Sequence, residues 1–267
     1  MKSPLTQRFE TLKERGERAL VCFVTAGDPS LDALPDILTT LAEAGGDVIE
    51  VGIPFSDPIA DGPTIQASSQ RALDRGVTPD AILEAIAPVA PSLPPVVLMG
   101  YTNTAMRQGF DEFARRAKDA GASGVILSDM IPEEADDWRK AAAANGLDTI
   151  FLVAPTSTQE RIRLATECST GFVYCVSRTG VTGAASEVPP EVVKVVRTVN
   201  SASDLPVCVG FGISKPEHVA MVCEVADGAV VGSALVDLLA TQWQDGKGAR
   251  EVAQFVSSLK AATIQRA

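Results

Sequence analysis

Residues 19–29 read ALVCFVTAGDP, an apolar run that ends at a turn containing Gly27 and Pro29. The run lacks polar alternation, which is typical of a parallel strand with both faces buried. In a doubly wound sheet that binds a dinucleotide, the first such strand is followed by the glycine pattern G-x-G-x-x-G. No such pattern follows Thr25. The stretch therefore favours another parallel α/β architecture.

Seven more short apolar runs follow, and amphipathic helical patterns separate most of them. Such alternation indicates a parallel sheet. Eight strand-and-helix units in about 250 residues match a closed eight-stranded parallel β/α barrel, a TIM barrel, better than the open doubly wound sheet, which is the alternative. We predict strands at residues 19–25, 48–51, 96–99, 124–127, 149–153, 172–176, 207–210 and 229–231, and helices at residues 31–44, 111–120, 133–145, 191–199 and 215–224.

An additional helix is predicted before the first strand, because Leu5, Phe9 and Leu12 recur at helical spacing. No linker rich in Pro, Gly, Ser or one sign of charge divides the chain. Residues 1–267 are therefore predicted to form a single TIM-barrel domain. No run approaches the roughly 20 apolar residues that a membrane-spanning helix needs.

The charge and the cysteine content limit the classes of partner and the cellular compartment that we expect. The chain has 34 acidic and 23 basic residues, and no basic cluster is interleaved with aromatic residues. Neither a nucleic acid nor an anionic membrane is therefore an expected partner. Of the five cysteines, Cys22, Cys175 and Cys208 lie inside apolar runs, as small buried thiols do in a reducing compartment. We expect a cytoplasmic protein.

Glu50 interrupts the apolar run at residues 48–51. Because side chains alternate across a strand, Val48 and Glu50 share one face, and one face of a barrel strand is the interior. A carboxylate there is desolvated, which raises its pKa toward the range useful for proton transfer at neutral pH. The alternative is a structural carboxylate paired with an arginine or with backbone N–H groups.

Two long loops follow strands at the end of the barrel where active sites lie. Residues 53–63 follow the second strand and contain Asp61, which can face the same cavity as Glu50, although Asp beside Gly and Pro is also ordinary turn chemistry. Residues 177–189 follow the sixth strand and read SRTGVTGAASEVP. That composition is suited to a mobile lid.

Glycines after the seventh and eighth strands indicate a phosphate site. Residues 209–214 read VGFGIS and residues 231–234 read VGSA, with a helix expected from Ser233. Glycines let backbone N–H groups approach an anion, and the loops after these two strands commonly bind phosphate in β/α barrels. Such a site would also hold an anion on a chain of net charge −11.

The scarcity of histidine and the absence of lysine from the strands limit the reaction types that the chain can catalyse. The single histidine, His218, falls in a predicted helix and is expected to be a solvated surface residue, which excludes a Ser-His-Asp triad and a multi-histidine metal site. No lysine lies within a strand, which disfavours Schiff-base chemistry. Acid–base catalysis by carboxylates is the chemistry that these absences do not exclude. Tyr174 either assists in it or serves as a core aromatic residue. The residues thus indicate an enzyme that acts on a phosphorylated small molecule without a metal or cofactor.

The sequence closely resembles the tryptophan synthase alpha chain family from residue 23 to residue 233. The most specific match is EVGIPFSDP at residues 50–58 with ADGPTIQ at residues 60–66. Further matches are FVTAGDP at residues 23–29, YTN at residues 101–103, APT at residues 154–156, SRTGVTG at residues 177–183, GFGI at residues 210–213 and GS at residues 232–233.

The resemblance implies retro-aldol cleavage of indole-3-glycerol phosphate to indole and D-glyceraldehyde 3-phosphate. Glu50 would make the proton transfers, Asp61 would accept the indole N–H, and Tyr174 would help to position the substrate. By the same resemblance, Phe23, Met99, Ile126, Leu152 and Phe211 would line the indole pocket, Thr182 would close onto Asp61, and Gly183, Gly212, Gly232 and Ser233 would hold the phosphate.

Family members pass indole to a beta chain that carries pyridoxal phosphate, in an αββα assembly. Here residues 54–61 and the segment around Asn103 would form the contact. Two departures bear on that contact: Thr104 and Ala105 follow Asn103 where the family often has Pro, and DMIP at residues 129–132 replaces the commoner Asp-Leu-Pro order.

Three other functions stay open at this point. The chain could be a stand-alone indole-3-glycerol-phosphate lyase, since the same residues would serve it. Another phosphate-binding barrel, such as an isomerase of the same pathway, would leave the match around Glu50 and Asp61 as coincidence. A catalytically silent regulatory subunit would be free to lose the residues that this chain keeps.

Overall fold

Parallel strands alternate with helices in the computed structural model, which describes residues 2–176, 188–210, 212–243 and 246–264. Its strands are β1 Ala19–Thr25, β2 Val48–Gly52, β3 Val96–Gly100, β4 Ala122–Leu127, β5 Asp148–Ile150, β6 Leu152–Val153, β7 Val173–Val176, β8 Val207–Gly210 and β9 Gly228–Val231. Its helices are α1 Pro4–Glu14, α2 Leu34–Glu43, α3 Pro63–Asp74, α4 Pro79–Ile86, α5 Thr102–Gln108, α6 Phe110–Asp119, α7 Asp136–Ala144, α8 Gln159–Cys168, α9 Pro190–Ala202, α10 Pro216–Cys223, α11 Ser233–Gln242 and α12 Ala249–Ala261, with short 3-10 helices at Ala90–Ser92 and Pro132–Glu134.

The strands form one sheet in the order β5-β4-β3-β2-β1-β9-β8-β7-β6. Its two ends are successive in the chain, because only Phe151 separates β5 from β6. The N–H of Phe151 donates to the Ser169 hydroxyl at 3.1 Å, which diverts it from the ladder. The sheet thus closes on itself, and the predicted eight-stranded barrel is confirmed with its fifth strand interrupted.

Apolar side chains form two cores, one inside the barrel and one between the strands and the surrounding helices. Alternation decides the side: Val48 faces the interior, while Ile49 and Val51 face the helices. Helix α1 belongs to the inner core, and its Phe9 ring lies 5.8 Å from the ring of Phe172. The expected additional helix is confirmed, and it plugs the barrel at the N-terminal ends of the strands.

A buried ion-pair network ties both ends of the chain to that plug. Asp47 is fully buried before β2, and its carboxylate accepts from Arg8 on α1 at 2.6 Å and from Lys260 on α12 at 3.0 Å. The same carboxylate accepts from the Leu20 N–H at 2.8 Å. Lys260 also contacts Glu17 at 2.7 Å. One carboxylate thereby joins α1, β1 and α12.

None of the described helices is long and apolar enough to cross a membrane. All five cysteines are buried, and none of them forms a disulfide.

Candidate active site

Glu50 lies on β2 and faces the inside of the barrel. It is fully buried, and it pairs in register with Phe23 on β1 and Val97 on β3. Neither carboxylate oxygen has a hydrogen-bond partner among the described residues. Burial, and then the nearby charge of Asp61, raise the pKa of Glu50 to about 8. The pairing with an arginine or with backbone N–H groups, which the structural interpretation of Glu50 requires, is therefore absent among the described residues.

Asp61 is half-buried in the loop between β2 and α3, and Tyr101 holds it. The Tyr101 hydroxyl donates to Asp61 Oδ2 at 3.0 Å and accepts from the Ala60 N–H at 3.1 Å. The Tyr101 ring stacks on Phe55, with ring centroids 4.7 Å apart. Burial raises the pKa of Asp61, and the hydrogen bond from Tyr101 opposes that rise. Tyr101 therefore fixes the loop and also lowers the pKa of the Asp61 carboxyl group.

Tyr101 is a positioning residue that the sequence analysis did not single out. We expect Tyr101→Phe to lower kcat about tenfold with a smaller change in KM, because the ring stacking stays while the bond to Asp61 is lost. Losing that bond also removes the influence that lowers the pKa of Asp61, so the acidic limb of the pH profile moves to higher pH. A steady-state pH profile measures both effects, and an unchanged kcat and acidic limb would contradict the assignment.

Helix α3, which follows the Asp61 loop, is anchored to the first strand and its turn. Asp28, which is 5% exposed, receives two bonds from Arg71, at 3.0 and 2.6 Å. The hydroxyls of Thr25 and Ser68 lie 2.6 Å apart. A bidentate pair gives geometric specificity as well as energy. These contacts fix α3, and with it the end of the loop that carries Asp61.

The predicted indole-pocket residues that the structure describes face the barrel interior or its mouth. Ile126 lies in the inner core, and Met99 and Leu152 pack against it. Phe23 and Met99 line a cleft at the mouth together with Asp61 and Tyr101. The structure thus brings these residues to the C-terminal ends of the strands, where Asp61 also lies.

Tyr174 is also part of the inner core, on β7. It pairs in register with Leu152 and Cys208. Burial, and then the charge of Glu50, raise the pKa of its phenol well above the ordinary value. A Cβ atom at Gly210 would lie only 2.8 Å from the Tyr174 hydroxyl oxygen, so the glycine leaves room for the phenol. Tyr174 is therefore both a core aromatic and a neighbour of Glu50.

The described phosphate-loop residues lie at the same end of the barrel. Gly212 follows β8 with a φ of +73°, a conformation that favours glycine. Gly232 follows β9, and Ser233 begins α11, whose first turn leaves backbone N–H groups without partners in the helix. A Cβ atom at Gly232 would lie 3.9 Å from Phe23, which puts this helix start beside the mouth.

His218 was expected on the surface, and that expectation is wrong. Its side chain is buried at 9% exposure, because α10 turns this face toward the loop after β8. The His218 Nδ1 atom accepts from the Ser214 N–H at 3.3 Å. His218 therefore helps to fix the loop that contains Gly212. No group of acidic, histidine and cysteine side chains suited to a metal occurs among the described residues.

Three of the predicted site residues lie outside the described residues. They are Thr182, Gly183 and Phe211, and most of the predicted lid at residues 177–189 lies outside as well.

Two large apolar side chains are exposed near the barrel mouth. Ile59, in the loop that carries Asp61, is 76% exposed, and Met106, on α5, is 60% exposed. Both lie in or next to the segments predicted to contact a partner chain.

Comparisons with known proteins agree with this geometry. The sequence model of one family, described as Tryptophan synthase alpha chain, matches residues 9–264. Tryptophan synthase alpha chains of Geobacter sulfurreducens and Carboxydothermus hydrogenoformans are 48% identical over 261 residues and 45% identical over 257 residues, covering 97% and 96% of this chain and 98% and 96% of those proteins. Among solved structures, tryptophan synthase from M. tuberculosis matches with a TM-score of 0.90 at 36% identity over 99% of this chain and 100% of that chain. The alpha subunit from Legionella pneumophila matches with a TM-score of 0.89 at 35% identity over 98% and 99% of the two chains.

Proposed function

The chain belongs to the tryptophan synthase alpha chain family, and from that premise we propose how its own residues perform the reaction of the family. Members are lyases that cleave indole-3-glycerol phosphate to indole and D-glyceraldehyde 3-phosphate. They need no cofactor of their own, because pyridoxal phosphate belongs to the beta chain. The observation that carries the proposal is Glu50, a fully buried carboxyl group without a described partner at the centre of the barrel.

Glu50 makes the two proton transfers in the proposed mechanism. A pKa of about 8 keeps it largely protonated at neutral pH, so it donates a proton to indole C3. The carboxylate that results removes the proton from the side-chain hydroxyl. The bond between indole C3 and the glycerol carbon breaks, its electron pair returns to the ring, and the aldehyde forms. The proton ends on Glu50 again, so the residue is ready for another turnover.

Asp61 stabilises the charge that appears on the ring nitrogen. Protonation at C3 makes the indole nitrogen positive, and a carboxylate that accepts its N–H lowers the energy of that state. Tyr101 occupies Oδ2 of Asp61, which leaves Oδ1 for the substrate. Tyr174 lies within the electrostatic influence of Glu50. It positions the ring together with Phe23, Met99, Ile126, Leu152 and Phe211.

The phosphate binds at the other side of the mouth. Gly212, Gly232 and Ser233 offer backbone N–H groups there, together with Gly183. The start of α11 adds the positive end of a helix dipole. Thr182 closes onto Asp61 and excludes water during the reaction.

A beta chain is the proposed partner, docked over the loop at residues 54–61 and the segment around Asn103. Ile59 and Met106 support this proposal, since their exposed side chains would be buried by such a contact. Indole then passes to the partner in an αββα assembly. We place the reaction in the cytoplasm, where buried thiols stay reduced.

The test of this function is indole release from indole-3-glycerol phosphate by the purified chain, alone and with a beta chain added. We expect weak activity that rises sharply with the partner. Strong activity that the partner does not change would instead identify a stand-alone lyase. No activity under either condition would identify a silent subunit and refute the proposal.

Asp61→Asn tests the role of the second carboxylate. We expect about a hundredfold loss of indole release, because an amide oxygen bears no charge to stabilise the cationic ring. Binding of D-glyceraldehyde 3-phosphate should persist, since its phosphate is held by the loops after β8 and β9. Retained turnover would mean that Asp61 is an ordinary turn residue.

A further inference from the structure

A cavity of about 800 Å³ opens at the N-terminal end of the barrel, opposite the candidate active site. It lies between α1 and the segments that precede β1, β7, β8 and β9. Its lining includes none of the residues that the proposed mechanism uses. Cavities that hold small molecules commonly have volumes of about 300 to 1,000 Å³, so this one has room for a ligand.

Apolar side chains form one part of the cavity wall. Phe9 and Leu12 contribute from α1, and both are otherwise buried, at 7% and 2% exposure. The half-buried residues Leu205 and Pro206 contribute from the segment before β8. An aromatic ring that packs against these side chains would lose apolar surface to solvent on both sides of the contact. The cavity therefore favours a ligand with an apolar ring.

Most of the charged side chains around the cavity already have a partner. A ligand gains little from such groups, because it would have to replace a contact that the protein already makes. The three ion pairs are Arg18 with Asp227 at 2.9 Å, Glu17 with Lys260 at 2.7 Å, and Glu10 with Lys2 at 2.6 Å.

Lys13 and Asp204 are the two charged lining residues outside these pairs. Lys13 lies on the last turn of α1, and Asp204 lies between α9 and β8. Neither side chain has a hydrogen-bond or ion-pair partner among the described residues, and the two do not pair with each other. The cavity thus presents one cation and one anion on different segments, beside an apolar wall. This arrangement is complementary to a ligand that carries one charge of each sign and an apolar group.

We propose that this cavity binds the zwitterion of an α-amino acid with an aromatic side chain. The carboxylate of the ligand contacts Lys13, its ammonium group contacts Asp204, and its ring packs on Phe9 and Leu12. Both charged side chains are exposed, so each contact contributes modestly, and burial of the ring contributes the remainder. The site is separate from the candidate active site, so the inference holds whether or not the chain cleaves indole-3-glycerol phosphate.

The test is a ligand-observed NMR titration with L-phenylalanine, L-alanine, phenethylamine and 3-phenylpropanoate at low ionic strength. We expect a Kd for L-phenylalanine on the order of 1 mM, and weaker binding of the other three compounds, since each lacks one recognised group. Lys13→Gln should weaken L-phenylalanine and 3-phenylpropanoate about fivefold and leave phenethylamine unchanged. Asp204→Asn should weaken L-phenylalanine and phenethylamine by a similar factor and leave 3-phenylpropanoate unchanged.

Lys140→Gln and Asp137→Asn are the matched controls for these variants. Both residues are highly exposed on α7, and neither lines the cavity, so binding should not change in either variant. An absence of saturable L-phenylalanine binding to the parent chain would overturn the proposal. Binding that persists unchanged in Lys13→Gln and Asp204→Asn would place the ligand elsewhere and would also overturn it. Equal affinity for 3-phenylpropanoate and L-phenylalanine would refute it as well, because the site would then recognise only an anion.

Discussion

Glu50→Gln is expected to lower indole formation by at least about a thousandfold, alone or with a beta chain. The amide fills the same space but can neither give up a proton to indole C3 nor take one from the substrate hydroxyl. Glu50 is the only fully buried glutamate among the described residues, so no described neighbour of the same type can replace it. The measurement is single-turnover indole release with excess protein.

The same variant is expected to be more stable than the parent chain. The folded-state pKa of about 8 lies above the ordinary value of 4.5, so between these values the unfolded chain has lost a proton that the folded chain keeps. Stability therefore falls as the pH rises from about 4.5 to about 8 and then levels off. Glu50→Gln removes this loss, on the order of 5 kcal/mol at pH 8.5 and little near pH 4.5.

Urea unfolding of both proteins at pH 5 and pH 8.5 measures the gain. Binding of D-glyceraldehyde 3-phosphate is the control that the site is intact. Near-normal turnover would remove Glu50 from the mechanism, and a stability gain that does not depend on pH would show that its pKa is not raised.

Asp47→Asn is expected to destabilise the fold by about 3 kcal/mol. The amide still fills the site, but Arg8 and Lys260 then converge on a neutral group in a partly buried place. Removing one partner from a buried ionic network leaves uncompensated charge, which costs more than the network contributes net. Chemical unfolding at neutral pH measures the change.

Glu112→Gln supplies the matched control for that prediction. Glu112 pairs with Arg115 at 2.6 Å, but both side chains are about half exposed. Solvent screens such a pair, so the loss is expected to be much smaller than that of Asp47→Asn. Equal losses in the two variants would mean that burial of Asp47 adds nothing to its ion pairs.

Hydrophobic runs predicted most of the barrel because parallel strands buried on both faces cannot tolerate polar alternation. The interruption at Phe151 was not predictable, since the run at residues 149–153 is continuous in composition. It depends on Ser169, a residue distant in sequence whose hydroxyl takes the N–H of Phe151. Tertiary contacts of this kind leave no local signature.

The candidate site also contains some residues with a local sequence signature and others that depend on tertiary contacts. Glu50 was identifiable because a carboxylate inside an apolar run is a local anomaly. Tyr101 follows a strand with no anomaly, and its bond to Asp61 spans 40 positions along the chain. His218 was placed on the surface because its helix gave no sign that the loop after β8 would cover it.

Strand β1 lies between β2, which carries Glu50, and β9, which precedes the glycine loop at Gly232. A ligand that reaches from Glu50 to that loop crosses β1 and links strands from the two halves of the sequence. A bound ligand should therefore hold the early and late strands together and disfavour partial unfolding that separates them. Amide hydrogen exchange in β1 and β9 should slow together when product binds, although the two strands lie about 200 residues apart in the chain.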